Sequence, residues 1–81
     1  MITIIAIRLT QRMENAPKFQ EILSRYGCNI KTRIGLHEVS GSTCASDGVI
    51  ILDVIGEQET INSLISELNS MKELIVKTIE I

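Results

Sequence analysis

The sequence predicts an α+β fold, four strands and two helices in the order βαββαβ, and three observations carry that prediction. First, the chain is 81 residues long, enough for one domain, 1–81, because chains divide at roughly 100 to 200 residues per domain. Second, it is 44% hydrophobic but only 2% aromatic, with Phe19 and Tyr26 as the whole aromatic set. The core is therefore built from Ile, Leu and Val, and a β-branched core favours strands. Third, the spacing of apolar residues switches repeatedly between strand and helix periods along the chain.

Residues 2–9 alternate, with Ile2, Ile4 and Ala6 on one face and Thr3, Ile5, Ile7 and Leu9 on the other. Both faces are apolar, so this strand belongs in the middle of a sheet. The segment "ENAPKFQEILSRYG" then offers Asn15 as an N-cap and Pro17 in the first turn, where its missing N–H costs nothing. Ala16, Phe19, Ile22, Leu23 and Tyr26 form one helical stripe, and Gly27 is expected to stop the helix in the left-handed conformation.

Residues 28–39 alternate again. Ile30, Thr32, Ile34 and Leu36 fall on one face, and Lys31, Arg33, Gly35 and His37 on the other, as in a half-buried strand. "SGSTCASDG" reads as a connecting loop, and "GVIILDVIG" as a strand apolar on both faces except at Asp53. A carboxylate in that setting needs a partner, and Arg33 or Lys31 on the neighbouring strand is the expected one. The second helix runs from about Glu57 to Met71 on the stripe Ile61, Leu64, Ile65, Leu68 and Met71. Glu57 and Glu59 suit the positive end of its dipole. Residues 74–81 make the last strand.

Because parallel crossovers are right-handed, this order implies a ferredoxin-like arrangement: an antiparallel sheet of order 4-1-3-2 with both helices on one face. The edge strands carry Lys31, Arg33, Lys77 and Glu80, charges that discourage unwanted pairing. Helices on one face leave the other uncovered, and its apolar surface is more than a monomer usually exposes. Self-association as a homodimer or homotetramer is therefore expected.

Composition also narrows the function classes. The chain holds 8 Lys and Arg against 10 Asp and Glu, a net charge of -2, and the cations are scattered, which argues against direct binding of nucleic acid. The opening "MITIIAIRL" lacks a cationic leader and is interrupted at Arg8, so it reads as a strand and not an export signal. No membrane segment is expected. Cys28 and Cys44 fall at opposite ends of a strand, on the order of 30 Å apart, so a cytoplasmic location with free thiols is expected.

His37 and Cys44 are residue types that ligate zinc, copper or nickel, but two ligands do not close a site, and an oligomer would have to supply the rest. Cys44 as nucleophile with His37 as base would need a third, orienting group that no spacing marks. The 41–48 segment, with Ser42 and Cys44, could present N–H groups to an anion with Arg33 as countercharge, although it lacks phosphate-loop spacing. Catalytic residues are not assigned, and the sequence does not name a cofactor.

The combination "KTRIGLHEV", a Cys-bearing loop and "GVIILDVIG" resembles the iron-only hydrogenase system regulators over nearly the whole chain, most specifically at Arg33-Ile34-Gly35-Leu36 and Gly48 to Gly56. That family is similar to ACT domains and to the regulatory domain of nickel-responsive repressors. The resemblance implies an oligomeric, non-enzymatic ACT-like module that senses a small effector at a subunit interface, near Arg33, Gly35, His37, Ser42 and Cys44. The histidines of the nickel site do not carry over, since His37 stands alone. With no ribbon-helix-helix segment, any effect on transcription would pass through a separate protein partner.

Overall fold

Strand β1 (Thr3–Leu9) lies inside a four-stranded antiparallel sheet, paired on one side with β3 (Thr43–Val54) and on the other with β4 (Leu74–Glu80). Strand β2 (Ile30–Ser40) pairs with β3, giving the order β2-β3-β1-β4. Helix α1 (Ala16–Arg25) joins the first two strands, and α2 (Gln58–Asn69) the last two. The structure, a computed structural model, describes residues 1–9, 16–40 and 43–81, with backbone alone over 37–40 and 43–47. This is the predicted βαββαβ architecture, strands β1 and β3 central and β2 and β4 at the edges. The predicted N-cap Asn15 lies outside the described residues.

The two faces divide as the alternation in β1 requires. Thr3, Ile5 and Ile7 are buried beneath the helices with Ile50, Leu52 and Val54 of β3 and Leu74 of β4. Against them α1 presents Phe19, Ile22 and Leu23, and α2 presents Ile61, Leu64 and Leu68, with Met71 just beyond. The opposite face carries no helix. Ladder registers align Thr32, Asp53, Ile4 and Ile79 across it, then Ile34, Ile51, Ala6 and Lys77, then Leu36, Val49, Arg8 and Ile75. The central Ile4, Ala6, Val49, Ile51 and Asp53 are half-buried by their neighbours and Arg8 is exposed, while Ile34, Leu36, Ile75 and Ile79 on the edge strands are about half exposed.

Four local features depart from strict sequence patterning. Gly27 does not stop α1 in the left-handed region. The chain tightens into a 3-10 turn over Gly27–Asn29, with the Asn29 N–H on the Tyr26 carbonyl, and such tightening satisfies helix-end groups without a positive φ. Among the described glycines only Gly56 has a positive φ, at 125°. Next, the β2–β3 ladder slips by one residue between Ile30 and Thr32. Ile30 packs against the core, while Thr32, Ile34 and Leu36 face the open side, so the apolar residues of β2 do not share one face.

Third, that same slip turns Arg33 toward α1 and places Asp53 opposite Thr32 on the open face, so Arg33 is not the partner of Asp53. Lastly, 40–48 is not a nine-residue loop. Val39 pairs with Cys44 and Ser40 with Thr43, so both strands continue into the stretch expected as loop. Composition alone assigns the small residues of 43–48 to a loop.

Candidate functional site

A half-open cleft of about 300 Å³ lies between α1 and the β2–β3 ribbon. It exists because two positions of the helix-facing sheet surface are glycines. Gly35, opposite Ile50, has nothing within 4 Å of where a Cβ would stand. Gly48, opposite His37 on one side and Leu9 on the other, likewise places no side chain there. Above this gap α1 begins with the small Ala16, so the helix does not fill it. Leu9, Phe19 and Ile50 supply apolar walls.

Among the described residues, the polar side chains of the cleft are Arg33 and Gln20. Arg33 reaches it because the slip after Ile30 places it on the helix side, and its Nη1 donates to Gln20 Oε1 at 3.3 Å. One of its five N–H donors is thereby used, and the Gln20 amide is oriented with its own NH2 group available. A second depression of about 210 Å³ lies on the other side of Arg33, bordered by Leu23, Ser24, Gly27 and Ile30.

Of the residues singled out from the sequence, Arg33 and Gly35 meet in this cleft. The backbone places His37 opposite Gly48 at its end, and Cys44 opposite Val39 further out along the ribbon. Gly48 and Cys44 are four positions apart on β3, roughly 13 Å at strand rise, so the ladder does not set His37 and Cys44 beside each other. Their side chains, and all of Ser42, lie outside the described residues. Cys28, in the 3-10 turn, is a free, exposed thiol. Among the described residues no three His, Cys, Asp or Glu side chains come together in a way that could hold a metal ion. Nor is any helix long and apolar enough to cross a membrane.

Sequence reasoning missed Leu9, Ala16, Phe19 and Gln20 as cleft residues. Their signal was present but indirect: glycines on one strand face mark places where nothing fills the space under a helix.

A second polar cluster ties the helices together at the far end of α1. Arg25 Nη1 and the Tyr26 hydroxyl both donate to the Glu67 carboxylate on α2, and Arg25 Nη2 reaches Glu21 Oε1 at 3.0 Å. The Tyr26 hydrogen bond, then that from Arg25, hold Glu67 below the usual carboxylate range. The bond to Glu67 in turn raises the Tyr26 hydroxyl above its ordinary value.

An antiparallel sheet of order β2-β3-β1-β4, backed by two helices on one face, defines the ferredoxin-like class of α+β proteins. No protein-family model matches the chain, and no curated protein does. Solved structures do. An uncharacterised protein from Thermotoga maritima, TM1266, superposes with a TM-score of 0.80 at 23% identity, over 96% of this chain and 92% of that one. The nitrogen regulatory PII-like protein CPII from Thiomonas intermedia K12, in complex with ADP, AMP and bicarbonate, matches with a TM-score of 0.57 at 17% identity, over 99% and 91%. A formyltetrahydrofolate deformylase from Pseudomonas putida KT2440 matches with a TM-score of 0.59 at 6% identity, but this chain spans only 29% of it. At these identities the likeness establishes the fold.

Proposed function

We propose that this chain is a non-enzymatic, self-associating regulatory module that senses a small molecule in the cleft between α1 and the β2–β3 ribbon. One observation carries the reading: an apolar cavity with the guanidinium of Arg33 at its rim, formed where two glycines withhold side chains. Small-molecule sites are concave, mostly apolar and oriented by few polar groups. The fold of the regulator CPII lends support, since a nitrogen regulatory protein is built on a comparable framework. The connection to an iron-only hydrogenase system is part of the proposal and rests on the sequence resemblance over Arg33–Leu36 and Gly48–Gly56.

Self-association follows from the uncovered sheet face. Ile34, Leu36, Ile75 and Ile79 rim a surface whose centre is Ile4, Ala6, Val49 and Ile51, with the charged Asp53 and Arg8 at opposite ends of it. A second copy stacked on it would shield that surface, sheet against sheet. The cleft lies on the other side of the sheet, so ligand binding and assembly occupy opposite faces, joined by β2 and β3.

The test is a thermal-shift screen of the purified protein with amino acids, organic acids, nucleotides and divalent metals, followed by NMR mapping of every hit. The reading expects at least one compound that raises the melting temperature and perturbs Phe19, Gly35 and Ile50. Turnover of such a compound would contradict the non-enzymatic part, and a screen without hits would contradict sensing.

A further inference from the structure

We infer that the cleft selects small monocarboxylates with an apolar body, and against amines and zwitterions; this inference rests on the cleft being the ligand site. The guanidinium of Arg33 has only donors, one of which is spent on Gln20 Oε1; Gln20 adds the two donors of its NH2 group beside one remaining lone pair on that oxygen. No Asp or Glu is among the described residues that line the cavity. An anion therefore meets a cation and additional N–H groups, whereas an ammonium group meets the cation and, among the described residues, no countercharge.

The rest of the cavity restricts the ligand's body. Leu9, Phe19 and Ile50 offer it only apolar contact, and burying a polar tail there without a hydrogen bond is unfavourable. The half-open cleft of about 300 Å³ accommodates the body of a short aliphatic acid.

Titration of the full-length protein with 4-methylpentanoate, 4-methylpentan-1-amine and leucine, followed by NMR, tests this. The acid is expected to perturb Phe19, Gly35 and Ile50 and the amine to leave them unmoved, with leucine binding at least ten-fold more weakly than the acid. Arg33→Gln should weaken the acid by about ten- to a hundred-fold, the range of a charged hydrogen bond. Gly35→Val, which projects a side chain into open space, should abolish binding while circular dichroism and melting stay near wild type. Equal binding of the amine or of leucine at these residues overturns the selectivity and leaves the ligand site standing. If none of the three perturbs the cleft, the selectivity is overturned, and the wider ligand screen decides the site itself.

Discussion

Asn29 and Ile55 clasp one another: the Ile55 N–H donates to the Asn29 carbonyl at 2.8 Å, and the Asn29 side-chain amide donates to the Ile55 carbonyl at 3.0 Å. The clasp joins the entry to β2 with the exit from β3, and it leaves no room beside it. A Cβ at Gly56 would stand 2.3 Å from Asn29 Nδ2, at a φ of 125° that side chains rarely adopt. Gly56→Ala is therefore expected to destabilise the fold through backbone strain of about 1–3 kcal/mol, plus about 1 kcal/mol if the Asn29 amide is pushed off its acceptor. Thermal unfolding should show a fall of about 10 °C or more, given about 4–8 °C per kcal/mol at this size. Asn29→Ala should lose about 1 kcal/mol, chiefly that one hydrogen bond. A Gly56→Ala protein that melts with wild type would disprove the constraint.

The Tyr26–Glu67–Arg25 cluster sets a pH window for the contact between the helices. Glu67 has a lowered pKa in the fold, so its contribution is complete above the unfolded value of about 4.3 and is lost as pH falls through the lower folded value. Tyr26 has a raised pKa, so its contribution is complete below its unfolded value of about 10 and is lost as pH rises through the folded one. The cluster therefore supports the helix pair across the neutral range and weakens at both extremes. Melting temperature measured against pH for wild type and Glu67→Gln should show the largest gap between about pH 5 and 9, closing on the acid side. A gap that stays constant down to pH 2 would remove Glu67 from the account.

Assembly through the bare sheet face is open to direct disruption. Ile34 and Ile79 are 49% and 53% exposed and contribute little to the protomer core, so Ile34→Glu combined with Ile79→Glu should leave secondary structure intact. Burying four unpaired carboxylates between two stacked copies is strongly unfavourable. Sedimentation equilibrium should show the self-association constant falling at least a hundred-fold, toward a 9.0 kDa protomer. A double variant that assembles like wild type would place the contact elsewhere, and the edge of β4 would be the next surface to test.

The alternation and helical stripes made the architecture legible before any coordinates. Ile5 and Ile7 were expected opposite Ile4 and Ala6 and are so placed, and Phe19, Ile22 and Leu23 were expected beneath α1. Two residues of the candidate cleft, Arg33 and Gly35, were legible too, because an arginine and a glycine on one strand face stand out in a polar strand. Three things were not. Residues in contact across the fold, such as Gln20 with Arg33, leave no mark of their pairing in a single sequence. A β-ladder through small residues such as Ser40, Thr43 and Cys44 looks like a loop by composition. A one-residue slip is likewise invisible to periodicity, which is why Ile30 was grouped with Ile34 and Leu36.

That slip leads to the last prediction. Val54 and Asp53 are consecutive on β3, yet their partners Ile30 and Thr32 are separated by Lys31, so Lys31 is the extra residue. A bulged residue has no ladder partner, and removing it restores regular pairing instead of inverting the strand. Deletion of Lys31 should therefore yield a folded protein in which Arg33 and Gly35 still face α1, so that any compound bound in the cleft by wild type still perturbs Phe19 and Ile50. Melting should fall by no more than a few degrees. Deletion of Ile51, which pairs regularly with Ala6 and Ile34, would turn every later residue of β3 to the other face and should abolish folding. NMR dispersion of the two deletion variants decides: an unfolded Lys31 deletion would show that the slip is fixed by more than one surplus residue.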